Sequence, residues 1–218
     1  VGPALQRAGR KLRLARKAIR ELRKKEMNQA ELGTYVSAYD EGVRESDRQI
    51  GELWSELSRK GILKNSIVII FSDHGEELFD HGEGNHSTFL EHTARVPLLI
   101  YVPGAAPTQS EQMVSLVDVA PTLFGILDLP RPPQAQGESM FDPKPARERV
   151  FGASLGVSYV RDAEWKYILP EQGPPLLFNL KADPLEKENL AGLRLPRVRA
   201  KLRELESALA DFRSAQAL

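Results

Sequence analysis

The spacing of apolar residues changes character along the chain, and each change marks a different kind of element. Tyr39, Val43, Ile50, Trp54 and Leu57 recur at steps of three, four and seven, which predicts one apolar face on a helix running to about Lys60. Gly61 ends that helix and Lys64-Asn65 supplies a turn. The pattern then becomes unbroken, first at Ile67-Val68-Ile69-Ile70-Phe71 and again at Val96-Pro97-Leu98-Leu99-Ile100-Tyr101-Val102. Both runs are short, β-branched and without alternation, as expected of strands buried on two faces in a parallel sheet covered by helices. Asp118 starts a further helix through Leu127, with Pro121 tolerated in its first turn.

After the stiff stretch Leu129-Pro130-Arg131-Pro132-Pro133 the pattern shifts to short strands at Ser158–Arg161, Trp165–Leu169 and Leu177–Asn179, which read as a small antiparallel sheet. A terminal amphipathic helix follows, marked by Val198, Leu202, Leu205, Leu209 and Phe212. The expected class is therefore α/β: part of a mixed, mostly parallel sheet flanked by helices, with a small C-terminal antiparallel sheet and a final helix. Three segments are expected: a basic helical arm over residues 1–34, an α/β portion over 35–130, and a small α+β subdomain over 131–218.

Composition narrows the function classes. Apolar residues make up 41% and charged residues 28%, which suits a globular chain. No run approaches the roughly 20 apolar residues of a membrane span, and the first thirty residues lack the apolar core of an export signal. Location therefore stays open between periplasmic or extracellular and cytoplasmic. Zero cysteines exclude disulfides, thiolate zinc sites and a cysteine nucleophile within the chain. Net charge is zero, yet residues 1–25 carry ten Lys or Arg against the single acid Glu21. A solvated helix or surface arm explains that block; it lacks the aromatic residues that stack bases, so neither nucleic acid nor a membrane surface is the expected partner.

Candidate chemistry lies between the two apolar runs. All four histidines, His74, His81, His86 and His92, fall within nineteen residues. Asp73-His74-Gly75 follows the first run directly, where open α/β sheets place their ligands. Two readings of Asp73 and His74 stand: a helix-capping carboxylate beside a hydrogen-bonded histidine, or oxygen and nitrogen ligands of one divalent cation. His81 is expected to hydrogen-bond within its loop and His92 to lie on the surface of a short helix. Glu76 and Glu77 are expected to accept loop amides or face solvent.

Several separated stretches resemble the sulfatase family of the alkaline phosphatase superfamily. They are Tyr39-Asp40 with Asp47 and Ile50-Gly51, Ser66 to Glu76, Glu91 with Arg95-Val96-Pro97-Leu98, and Val117 to Leu123. Trp165-Lys166-Tyr167, Leu177-Phe178-Asn179-Leu180 and Asp183-Pro184-Leu185-Glu186-Lys187-Glu188-Asn189-Leu190 resemble that family's C-terminal subdomain. The resemblance implies a metal-assisted hydrolase of sulfate esters. It places Asp73 and His74 on the later pair of metal ligands, and His86 on a residue that contacts the ester, stabilising anionic charge or protonating the leaving oxygen. Arg95 and Asp118 fall on positions read as structural. The implied cation is calcium, with magnesium or zinc in a phosphotransferase variant. The implied nucleophile is a formylglycine hydrate made from Cys or Ser.

One departure is plain. The family's Cys/Ser-x-Pro-x-Arg nucleophile motif is absent from these 218 residues. The intact later metal pair favours a segment of a longer hydrolase over a degenerate protein, with self-association or an N-terminal half of the domain as expected partners. The alternatives are a phosphate or phosphonate ester hydrolase, a phosphoethanolamine transferase, or a binding remnant that uses its basic arm.

Overall fold

The computed structural model describes residues 28–81, 88–142, 147–154 and 156–216. These fall into two compact units, within residues 1–106 and 107–218. Most of the expected basic arm, residues 1–27, lies outside the described residues.

The first unit opens on helix α1, Gln29–Arg59. Asn28 caps it, its side-chain oxygen accepting the amides of Ala30 and Glu31 while Glu31 accepts the Asn28 amide. Arg48 pairs with Glu45 and Glu52, and Arg59 with Glu56, along the solvated surface. The apolar face expected from the spacing is present but largely uncovered: Tyr39, Val43 and Ile50 are 41%, 54% and 39% exposed. Packing contacts lie toward its ends, where Tyr35 meets Phe79 edge-on at 5.5 Å and Trp54 meets Tyr101 edge-on at 4.9 Å. Gly61, at φ 71°, ends the helix in the left-handed region where a side chain would be strained.

Strand β1 covers Val68–Phe71, the short helix α2 Glu91–Ala94, and strand β2 Leu98–Tyr101. The α/β class holds, but the two strands correct the expected parallel, doubly covered arrangement. They pair antiparallel, Val68 opposite Tyr101 and Phe71 opposite Leu98, with Phe71 49% and Leu99 59% exposed. An unbroken apolar run reports that both strand faces are greasy and says nothing of direction. Direction is decided by the connection, which doubles back through α2.

In the second unit, a single 3-10 turn at Leu116–Asp118 leads into helix α3, Val119–Ile126. Asp118 is almost fully buried, and its carboxylate accepts from the Ser115 and Glu138 amides at 2.8 Å each and from Arg147 at 2.5 Å. Its oxygens are spent on holding the loop around Gly137, which supports its reading as structural. Strands β3 (Val150–Ser154), β4 (Val157–Arg161), β5 (Trp165–Pro170) and β6 (Leu176–Asn179) then form an antiparallel meander. It has one strand, β3, more than the spacing predicts. Helix α4, Pro196–Gln216, lays Val198, Leu205 and Leu209 against Val160, Trp165, Tyr167 and Leu177, and Phe212 stacks on Phe151 at 4.8 Å.

On β5, Lys166 alternates with Trp165 and Tyr167 and so leaves the strand on the opposite face. There it is wholly buried, its Nζ 3.2 Å from the buried Glu186 carboxylate and 5.4 Å from the Tyr159 ring centre. Breaking such a pair leaves an uncompensated charge. Lys166→Met should cost about 3–5 kcal/mol in urea unfolding, and adding Glu186→Gln should recover at least half of that loss. The exposed Phe71 and Leu99 lead to a second expectation: the chain self-associates in light scattering, and Leu99→Lys reduces that association.

Candidate functional site

The turn after β1 builds the first constellation. Ser72 Oγ donates to the His74 carbonyl at 2.6 Å, and the His74 amide donates to Asp73 Oδ1 at 3.0 Å. Nδ1 of His74 lies 2.8 Å from the Gly75 carbonyl oxygen. A carbonyl can only accept, so Nδ1 carries a proton and Nε2 is the ring nitrogen left to face outward. That Nε2 stands 3.8 Å from Asp73 Oδ2, and the two side chains are 44% and 85% exposed. The adjacent carboxylate and imidazole therefore converge at the carboxyl end of β1 and remain open to solvent, rather than turning inward onto separate neighbours.

What holds this turn is a backbone contact. The Gly75 amide donates to the Thr93 carbonyl at 2.8 Å. A Cβ on Gly75 would lie 1.9 Å from the His92 carbonyl oxygen, so no residue larger than glycine fits without moving backbone. Thr93 is buried, with its hydroxyl bonded to the Leu90 carbonyl at 3.0 Å. The Asp73-His74 turn is thus seated directly on α2.

A second constellation lies alongside. Glu77 is fully buried, so of its two expected roles it takes that of an acceptor of a loop amide rather than a solvent-facing group. Its Oε1 accepts the His81 amide at 2.9 Å and lies 3.1 Å from His81 Nδ1, so His81 does hydrogen-bond within its loop as expected. Its Oε2 stands 3.6 Å from His92 Nε2. His92 was expected at the surface; instead its side chain is only 24% exposed, and its ring stacks on His81 with centres 5.1 Å apart. The four-residue spacing of Glu77 and His81 is visible in the sequence, but His92 joins them only because α2 packs under Gly75. His86 lies outside the described residues, and Arg95 is exposed.

Comparison with known proteins follows the same lines. The family model described as Sulfatase matches residues 9–129. A choline-sulfatase of Rhizobium meliloti (strain 1021) is 33% identical over 166 residues, covering 71% of this chain and 32% of its own. Arylsulfatase K of Bos taurus is 33% identical over 183 residues, covering 72% of this chain and 33% of its own. The chain thus spans about a third of the length of these curated relatives. A solved structure of a protein in complex with its substrate D-glucosamine-2-N,6-O-disulfate matches with TM-score 0.73 at 25% identity, covering 91% of this chain and 45% of that one. The phosphonate monoester hydrolase of Agrobacterium radiobacter matches with TM-score 0.70 at 27% identity, covering 81% and 40%.

The seat of the turn is open to a direct check. Gly75→Ala forces backbone apart at the α2 contact and should destabilise the chain by about 1–3 kcal/mol or more in chemical unfolding. It should also speed amide exchange at Gly75 and α2, whereas Gly33→Ala, which meets nothing within 4 Å, should do neither.

Proposed function

The chain belongs to the sulfatase family, and from that premise we propose that its residues form part of the metal and substrate site of an enzyme that hydrolyses sulfate esters. The observation that carries this reading is the convergence of the Asp73 carboxylate and the His74 imidazole at the mouth of β1. The donor set fits a divalent cation. His74 commits Nδ1 to a backbone carbonyl, the arrangement that fixes tautomer and ring orientation in a ligating imidazole. Asp73 holds one oxygen against an amide and presents the other beside the ring.

Calcium is the cation proposed, held by Asp73 and His74 together with ligands from elsewhere in the enzyme. When bound, it neutralises charge on the sulfate oxygens. His86 is assigned to the ester itself, where an imidazole stabilises anionic charge or gives a proton to the leaving oxygen. Gly75 and α2 keep the two ligands in place, so the site is preorganised by the fold. The attacking group is not encoded here in the Cys/Ser-x-Pro-x-Arg form, and the proposal therefore concerns the cation and leaving-group side of the site. The likeness to a phosphonate monoester hydrolase supports phosphonate or phosphate monoesters as the second reading. The sulfatase names of the family model and of the curated relatives favour sulfate.

Calorimetric titration with calcium and turnover of an aryl sulfate by the complete enzyme test the assignment. Asp73→Asn and His74→Ala should each weaken calcium binding by at least about tenfold and abolish turnover. His86→Ala should lower kcat by about a hundredfold or more with calcium binding intact. Unchanged affinity and turnover in the Asp73 and His74 variants would refute the site, and faster turnover of an aryl phosphonate than of the sulfate would select the second reading.

A further inference from the structure

We infer that Glu77, His81 and His92 form a second cation site, distinct from the Asp73-His74 pair and selective for zinc or another late first-row divalent ion. One ligand atom from each of the three residues lies within 4.8 Å of the others. Donors placed around zinc at its usual bond lengths sit roughly 3.3 Å apart, close to the 3.6 Å between Glu77 Oε2 and His92 Nε2.

The buried carboxylate is the second, independent observation. Glu77 has no exposed surface, and Glu77 Oε2 and His92 Nε2 are both buried with no hydrogen-bond partner. They face each other at 3.6 Å, too far for a hydrogen bond. A shared proton would draw such atoms to about 2.8 Å, whereas a cation between them bonds both at the spacing found. A carboxylate taken out of water needs that compensation.

The ligands are also held in advance. The His81 amide fixes Glu77 Oε1, the two imidazoles stack, and α2 carries His92 on the segment that Gly75 touches. Two imidazoles and one carboxylate suit zinc, nickel or cobalt, a more nitrogen-rich set than the one carboxylate and one imidazole of the Asp73-His74 pair. The two sites therefore differ in chemistry as well as in residues. A cation here clamps residues 77–81 to α2, and so steadies the support of the Asp73-His74 turn.

Metal analysis of the untagged chain after chelation, reloading with zinc and gel filtration tests this. Wild type and an Asp73→Asn/His74→Ala double variant should each retain one equivalent of zinc. Glu77→Gln and His92→Ala should weaken zinc binding at least about tenfold while keeping the far-ultraviolet circular dichroism of wild type. To guard against variants that fail to fold, His92→Cys loaded with cobalt should gain a thiolate-to-cobalt charge-transfer band that wild type lacks. No retained zinc, zinc undiminished in the Glu77 and His92 variants, or no charge-transfer band would each overturn the site. Zinc lost in the Asp73→Asn/His74→Ala variant would assign it to that pair and also overturn the proposal. Failure of calcium binding with zinc retained would count against the sulfate-ester site alone.

Discussion

The contact on which the first unit's chemistry depends is the approach of Gly75 to the backbone of α2. An amide-to-carbonyl bond of 2.8 Å to Thr93 joins the two segments, and the missing side chain lets the His92 carbonyl come closer than any Cβ would allow. Two consequences follow from one contact. The Asp73-His74 turn is held at the end of β1 with both side chains outward, and His92 is brought beneath Glu77.

The carboxylates of the molecule divide by solvation. Asp73 stands in water and retains an oxygen beside an imidazole, a state that costs little and leaves the group available to a ligand. Asp118 and Glu186 are buried, and each is matched by a cation of the chain, Arg147 and Lys166. Those two hold structure: one closes the loop at Gly137, and the other anchors the far face of β5. Glu77 is buried to the same degree but meets two imidazoles and a backbone amide in place of a guanidinium or an ammonium. That difference sets it apart from the structural pairs, in which each buried carboxylate faces an Arg or Lys cation.

Much of the architecture was legible before any coordinates. The helix to Lys60, both apolar strands, the short antiparallel strands around Trp165 and the terminal helix stand within a few residues of where their spacing puts them. Local periodicity carries that information because burial of one face repeats with the backbone. The pairing of β1 with β2 was not legible, nor was β3, whose Val150-Phe151-Gly152-Ala153-Ser154 has an alternation too weak to stand out. Likewise the apolar stripe of α1 was visible, but its exposure was not, since a stripe states what a helix can bury and not what lies against it.

By itself the sequence determined the element types, the crowding of four histidines into nineteen residues, and the Asp-His-Gly turn after an apolar strand, all properties of neighbours along the chain. Only the tertiary structure decided which of those groups meet. Glu77 and His92 are fifteen positions apart, and nothing in their spacing joins them. They face each other because β2 returns antiparallel through α2 and Gly75 lets that helix close in. Desolvation then acts on whichever side chains the packing encloses, and so burial, rather than residue type, separates a solvated carboxylate at Asp73 from an enclosed one at Glu77.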